Sequence, residues 1–338
     1  MKEASITRKP TSFIITLIIG IVSLVIASII SVTFGAASIT PSIIWDAIVS
    51  FDGSLTEHQI IQEIRIPRVV AAILIGGALA VSGAIMQGMT RNALAEPSII
   101  GISDGAALAL AIMFAYVTAA SYTGLLIAAF IGAGVGTVLI FLVGTLSKGG
   151  LSPAKLALAG VTIGAFLSAL SSGIAIYNDV AQDLSFWFAG GLSSVTRQSL
   201  LMVAIPCLIG ILIALVLSKS ITIMSLGQDV ARGLGQRTAI VRTLGVIAVM
   251  LMTGASVAIA GIIGFVGLVI PHMVRAVVGM DYRYIIPCSA VFGALLLVAS
   301  DIVARMINAP YETPVGAITA LIGVPFFLYL ARREGRGV

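Results

Sequence analysis

The sequence is poor in charge. Asp, Glu, Lys and Arg make up 10% of its 338 residues, where an ordinary soluble domain carries about 25%. A surface facing water on all sides is therefore excluded. There are two cysteines, two histidines and two tryptophans. Cys207 and Cys288 lie inside apolar runs without metal-ligand spacing, which excludes a disulfide framework and marks them as small core residues. No cluster of His, Cys, Asp or Glu has the spacing of a metal site. No glycine-rich loop leads into Lys followed by Ser or Thr, so there is no phosphate cradle, and no nucleophile elbow is present. The enzyme classes that depend on these motifs have no footing here, and no cofactor is expected on this chain.

What the sequence does have is 59% hydrophobic residues and a mean hydropathy of +1.14. That is the composition of an all-α integral membrane protein, embedded in the lipid bilayer. The formal net charge of +5 does not indicate nucleic acid, because the cations sit in short loops between apolar runs, which is a topology signal. No soluble insert interrupts the series, so 1–338 reads as a single transmembrane domain.

Spans are predicted at about 13–34, 69–89, 98–117, 123–146, 156–177 and 199–217, with two more at 285–302 and 314–331. Lys2, Arg8 and Lys9 precede the first, and Gly35, Ala36, Ala37 and Ser38 after it could pass for a cleavage site. Yet 13–34 is too long for a signal h-region and is read as a retained span. Between Thr243 and Pro271 no side chain is ionisable. As one helix this run would far exceed the ~30 Å hydrocarbon core, and it is too short for two full spans. Gly261, Gly264 and Gly267 punctuate it. The reading is one span to about Ala260, a glycine-rich turn, and a short or broken return segment ending at Pro271.

With that segment counted there are about ten crossings, and both termini are cytoplasmic. Of nineteen lysines and arginines, only Arg65, Arg68, Arg197 and Arg305 then fall outside, as the positive-inside bias demands. Trp45 and Trp187 lie in outer connectors and read as interfacial anchors. Small residues such as Gly76, Gly77 and the Gly132–Gly136 run permit close helix packing. The spans starting near Val69 and Arg242 both end in an irregular polar or Gly/Pro segment, a weak sign of inverted halves.

The longest polar interruption on the inner side is 219–242. Lys219, Arg232, Arg237 and Arg242 face one acid, Asp229, while Gly227, Gly233 and Gly235 divide the stretch into short helical pieces. Val230 and Leu234 share a helix face. Small residues Gly227, Ala231 and Gly235 would let such pieces sit deep in a partner's groove. A basic loop that merely obeys topology is the other reading.

Ionisable groups near membrane depth are Asp104, His272 and Asp301, and such groups are functional candidates. Carrying protons, they would make a proton-coupled secondary transporter. His272 could instead bond a carbonyl freed by the broken helix, Asp104 could sit at the inner interface, and Asp301 could pair with Arg305 four residues on. Arg65 and Arg68 flank Pro67 before a span and Arg305 ends another. They are either an outward cationic patch for an acidic partner, or snorkelling side chains with Glu63 or Asp301 as counter-ions.

These stretches resemble the FecCD-type permease family, the membrane subunits of iron–siderophore and cobalamin ABC importers. The matching residues are Arg65-Ile66-Pro67-Arg68, Ser82-Gly83-Ala84 to Gln87, Asn92-Ala93-Leu94-Ala95-Glu96-Pro97, Leu226-Gly227 with Ala231 and Leu234-Gly235, Gly264 through Pro271-His272 to Arg275, Asp301 to Arg305, Pro314-Val315-Gly316 and Gly323-Val324-Pro325. The resemblance implies a ten-span subunit that moves an iron(III)–siderophore across the cytoplasmic membrane. It implies a second permease subunit, identical or homologous, two cytoplasmic ATPase subunits that bind ATP and Mg, and an extracytoplasmic binding protein. Coupling to the ATPase would fall to Ser225, Leu226, Gly227, Asp229, Ala231, Arg232, Leu234 and Gly235. Binding-protein docking would fall to Arg65, Arg68 and Arg305. The pathway and gate would involve Asn92, Leu94, Pro153, Ala154, Gly264, Gly267 and Pro271. Pro153 and Ala154 depart from the hydroxylated pair of the cobalamin permease.

Overall fold

Backbone polar groups in hydrocarbon must be bonded within their own segment, and every regular element among the described residues is helical. The computed structural model describes residues 10–34, 39–97, 101–146, 153–189, 191–309 and 311–334. The candidate cleavage stretch at 35–38, both termini and Lys148 lie outside them.

The helices are α1 (Pro10–Thr33), α2 (Pro41–Val49), α3 (Thr56–Gln59), α4 (Ile66–Thr90), α5 (Ile102–Tyr116), α6 (Tyr122–Leu146), α7 (Pro153–Tyr177), α8 (Ala181–Ala189), α9 (Arg197–Ser225), α10 (Gln228–Gly233), α11 (Thr238–Ala260), α12 (Val266–Val278), α13 (Tyr282–Met306) and α14 (Val315–Glu334). A π-helical turn, Ile60–Arg65, runs α3 into α4. Seven of the helices are long and apolar enough to cross a membrane. Three apolar ones are shorter: α5, α12 and the 315–330 part of α14. Helix α9 runs to Ser225 rather than to 217, so Lys219 belongs to a helix and the inner polar connector shrinks to 226–237.

Helix α4 is the axis of the packing, buried along nearly its whole length. Small residues bring its neighbours to backbone contact. A Cβ at Gly76 would overlap the carbonyl oxygen of Gly293 on α13, and a Cβ at Gly83 would overlap that of Gly267 on α12. Between apolar helices in lipid, such van der Waals closeness replaces the hydrophobic driving force. Helix α1 is peripheral, with Ile14, Ile18, Ile26 and Ile29 exposed. Trp45 is exposed as an interfacial anchor would be, whereas Trp187 packs against Phe114 and Tyr122.

The glycine-rich run breaks as its composition predicts. Helix α11 stops at Gly261, whose φ of 69° and ψ of −148° only glycine adopts readily. Residues 262–265 are irregular, with Phe265 at φ 70°. Helix α12 follows with 13 residues, about 20 Å, short of the ~30 Å core. The return segment does not end at Pro271. Proline inside α12 removes one donor, but the helix continues to Val278 because the freed acceptor is bonded from outside. On the other side of the fold, α4 is likewise followed by a non-α-helical stretch, 91–97, before the 15-residue α5.

Candidate functional site

The two irregular stretches meet through Glu96. Its Oε1 accepts the backbone N–H of Phe265 at 2.6 Å. That N–H opens α12, so the carboxylate satisfies an otherwise unpaired donor and lies at the positive end of the helix. Glu96 is held by its own loop, where Asn92 Oδ1 accepts the Leu94 N–H at 2.9 Å and the Ala95 N–H reaches the Asn92 carbonyl. Leu94 packs with Leu268, Val269 and Leu330. A small cavity beside the break is lined by residues that include Glu96, Ser103, Thr253, Ser256 and 261–263.

Pro271 determines what happens one turn deeper. It has no N–H, so the carbonyl of Gly267, four residues back, receives no helical bond. Gln87 of α4 supplies the missing donor: its Nε2 lies 3.2 Å from both the Gly267 and Leu268 carbonyl oxygens. The Gln87 Oε1 in turn accepts from Arg275 Nη2 at 2.8 Å. Leaving such a carbonyl unpaired in a buried site costs roughly 1–3 kcal/mol. His272 lies edge-on to Phe326 with ring centroids 5.7 Å apart.

Arg275 also approaches the Tyr282 hydroxyl, at 3.4 Å. Tyr282 is buried, and its backbone N–H donates to Thr222 Oγ1 at 2.9 Å. Thr222 donates to Asp281 Oδ1, which also takes the side chain and N–H of Arg283. Burial would push the Asp281 carboxyl up, but the Arg283 bonds, the Arg283 charge and the Thr222 hydroxyl hold it below the usual carboxylate range. Thr222 lies one turn before the end of α9 at Ser225, where the inner connector begins.

That connector folds for local reasons. Gly227, at φ 133°, turns the chain. Asp229 sits in the first turn of α10, as the helix dipole favours. Gly235, at φ 76°, closes the helix: the Gly235 N–H reaches Arg232 O and the Gln236 N–H reaches Ala231 O, a Schellman arrangement. Ala231 is 0% exposed and Gly227 is buried, while Val230 is 47% and Leu234 67% exposed. Gly227 and Ala231 therefore face this chain's own body, not a partner's groove. The outward face consists of Leu226, Val230, Arg232 and Leu234. A side chain at Gly227 would meet Arg91 and Val230 of this chain and would be strained at that φ.

At the outer end the three arginines turn inward. Arg65 donates to the Val32 and Thr33 carbonyls at 2.6 and 2.8 Å. Arg305 donates to the Ser31 carbonyl and hydroxyl and to the Phe34 carbonyl. Both arginines thus cap the carbonyl end of α1, where a cation is favoured. Arg68 pairs with Asp301 at 2.9 Å and with Glu312 at 2.6 Å, and Arg305 lies 3.2 Å from Asp301. Asp301 is the counter-ion the sequence suggested, joined by Glu312.

The sequence matches the FecCD transport family over residues 23–333. The chain belongs to the FecCD transport family. It is 50% identical over 337 residues to the iron(3+)-hydroxamate import system permease protein FhuB of Bacillus subtilis, covering 100% of this chain and 88% of that one. It is 42% identical over 321 residues to the iron-uptake system permease protein FeuB of the same organism, covering 95% and 96%. An inward-facing structure assigned to the metal-chelate type of ABC transporter superposes with a TM-score of 0.82 at 31% identity, covering 94% of this chain and 98% of that one. As a member of this family the chain is a multi-pass protein of the cytoplasmic membrane and a permease subunit.

Of the residues named for a FecCD pathway, Gly264 lies in the break, Leu94 packs against the start of α12 where Gly267 sits, Asn92 braces the Leu94 loop, and Pro271 lies one turn further along α12. Pro153 and Ala154 begin α7, which packs on α5 and α6 instead; their side chains lie outside the described residues. Asp104 sits in the first turn of α5, its carboxylate against Gly164. Sequence reasoning missed Glu96, Gln87, Thr222 and Asp281. Glu96 and Gln87 both lie in stretches that carry the family resemblance, and a carboxylate next to a proline in an apolar context was the available signal.

Proposed function

We propose that this chain is the translocating subunit of an ATP-driven importer that carries an iron(III)–siderophore complex inward. The observation that carries the reading is identity of 50% along the entire chain to a permease named for iron(3+)-hydroxamate import; a hydroxamate complex is accordingly the first substrate to test. ATP and Mg bind two cytoplasmic ATPase subunits rather than this chain. A second permease subunit, identical or homologous, completes the pathway, and an extracytoplasmic binding protein delivers the complex. The ATPase docks on the inner connector, through Leu226, Val230, Arg232 and Leu234, with Ser225, Gly227, Asp229, Ala231 and Gly235 shaping that surface. The binding protein docks outside near Arg65, Arg68 and Arg305, where its carboxylates compete with Asp301 and with the α1 carbonyls.

Two facts support ATP drive over proton coupling. Asp301 is 1% exposed and committed to two guanidiniums, so it serves as their structural counter-ion. Asp104 on α5 and His272 on α12 lie on helices other than α13, which carries Asp301. The test is uptake of radiolabelled iron(III)–hydroxamate in a strain lacking its own importer, supplied with this chain, its ATPase and its binding protein. Uptake that requires an intact ATPase is the expected result. Uptake that survives ATPase inactivation and collapses with the proton gradient overturns the reading.

A further inference from the structure

Helix α4 is fastened to its neighbours by two polar joints of different kinds. At the outer end, Arg68 and Asp301 form a buried ion pair to α13, next to the backbone contact of Gly76 with Gly293. Parting such a pair strands an uncompensated charge, so this joint is stiff. At the inner end, the joint to α12 is neutral on the α4 side. Gln87 donates to two carbonyls at 3.2 Å and accepts one bond from Arg275 at 2.8 Å. Among the described residues no carboxylate pairs with Arg275, and its Nε is buried without a partner. This joint can open without parting a pair of opposite charges, since Arg275 bonds here to the neutral Gln87 and Tyr282.

The inner joint also lies between the two places that must communicate. On one side it holds Gly267 and Leu268, the first turn of α12, directly below the Phe265–Glu96 contact at the break. On the other, Arg275 touches Tyr282, Tyr282 is bonded to Thr222, and α9 ends three residues later at the inner connector. Gln236 of that connector donates back to the Ser220 carbonyl at 2.9 Å, so the connector and the end of α9 move together.

We infer that Gln87 and Arg275 are positioning residues that form a releasable latch, holding the start of α12 against α4 until movement of the inner connector, passed through Thr222 and Tyr282, opens it. Pro271 makes the latch necessary, because only a side chain from another helix can satisfy the Gly267 carbonyl. A permease whose latch is lost still assembles with its ATPase, but connector movement no longer reaches the break.

The inference rests on the ATP-driven reading, and wild-type protein separates the two: absence of ATP hydrolysis stimulated by loaded binding protein in the wild type would remove that reading and leave nothing to couple. The experiment uses the complete transporter in proteoliposomes, with ATP hydrolysis measured with and without loaded binding protein and labelled iron complex counted per ATP. Gln87→Leu is expected to keep ATPase co-purification and basal hydrolysis, and to lose roughly tenfold in complex transported per ATP, the usual size of a coupling between sites. Arg275→Lys, which keeps the cation and shortens its reach, gives a milder form of the same split. Thr222→Val combined with Gln87→Leu is no worse than Gln87→Leu alone, because both act on one path. A purely structural role lowers assembly, hydrolysis and transport in parallel. Unchanged transport per ATP in Gln87→Leu overturns the latch; so does wild-type coupling in Arg275→Lys if Gln87→Leu fails to assemble.

Discussion

Arg68 and Asp301 stand 233 residues apart in the chain and meet at 2.9 Å, with the Asp301 side chain 1% exposed. Arg305 shares the same carboxylate from the following turn of α13. A single buried anion thus serves two cations, one of which also caps α1. The cations that local charge counting groups into an outward patch also form the seam that joins α1, α4 and α13.

Removing the shared anion should be worse than removing the whole arrangement. Asp301→Ala leaves buried Arg305 without its carboxylate and Arg68 with Glu312 alone, and should cost about 3–5 kcal/mol. Replacing Arg68 by Met and Asp301 by Leu together should be much milder. Thermal unfolding of the detergent-solubilised protein checks the order; equal loss in the single and the double variant contradicts it.

The inner connector should bind its partner through the exposed face of α10. Val230→Asp with Leu234→Asp should abolish ATPase co-purification while membrane insertion and thermal stability stay within about 0.5 kcal/mol of wild type, as surface changes do. Gly227→Trp should instead lower the yield of folded chain, because φ 133° strains any side chain there. Intact co-purification in the double Asp variant would move the docking surface elsewhere.

Gly83 tolerates no side chain. Its missing Cβ is occupied by the Gly267 carbonyl, so Gly83→Val should push α12 away from α4 and cost roughly 3 kcal/mol or more. Gly173, with nothing within 4 Å of its Cβ position, is the control: Gly173→Ala should be neutral or slightly stabilising. Folded yield and melting temperature give the comparison.

The joint at Asp281 should weaken in acid. Its carboxyl is held below the usual range, so its contribution is complete above the unfolded value of about 4 and is lost as pH falls through the lowered folded one. Melting temperature should therefore decline on the acid side of about pH 4. In Asp281→Asn it should already be lower at neutral pH, with a shallower acid slope; parallel curves would show that the carboxyl is not a linked group.

Orientation is tested by labelling. With Cys207 and Cys288 replaced by Ala, both sites being buried, Arg232→Cys should resist an impermeant thiol reagent in intact cells and react in inverted vesicles. Strong labelling of intact cells would reverse the topology.

Much of the fold could be read from the chain because membrane insertion depends on local quantities. Hydropathy over a window places the spans, and lysines and arginines near their ends assign the sides. The break after Ala260 was legible for the same reason: a run too long for one span, and glycines where it must turn. The same local reading misplaced the end of α9 by eight residues, because Lys219 and Ser220 look like a loop yet sit on a helix projecting past the apolar zone. It also turned Gly227 and Ala231 toward a partner, since small size signals close approach without saying to what.

What the sequence determined by itself is the membrane class, the helical spans and the family. What only the tertiary structure decided is which groups satisfy one another: Glu96 with Phe265, Gln87 with the carbonyl that Pro271 leaves open, Arg68 with Asp301, and Arg65 and Arg305 with the end of α1. The reason is physical. Hydropathy and charge bias act on each segment as it enters the bilayer, whereas a buried hydrogen bond between helices requires two particular side chains, far apart in the chain, to arrive at one place.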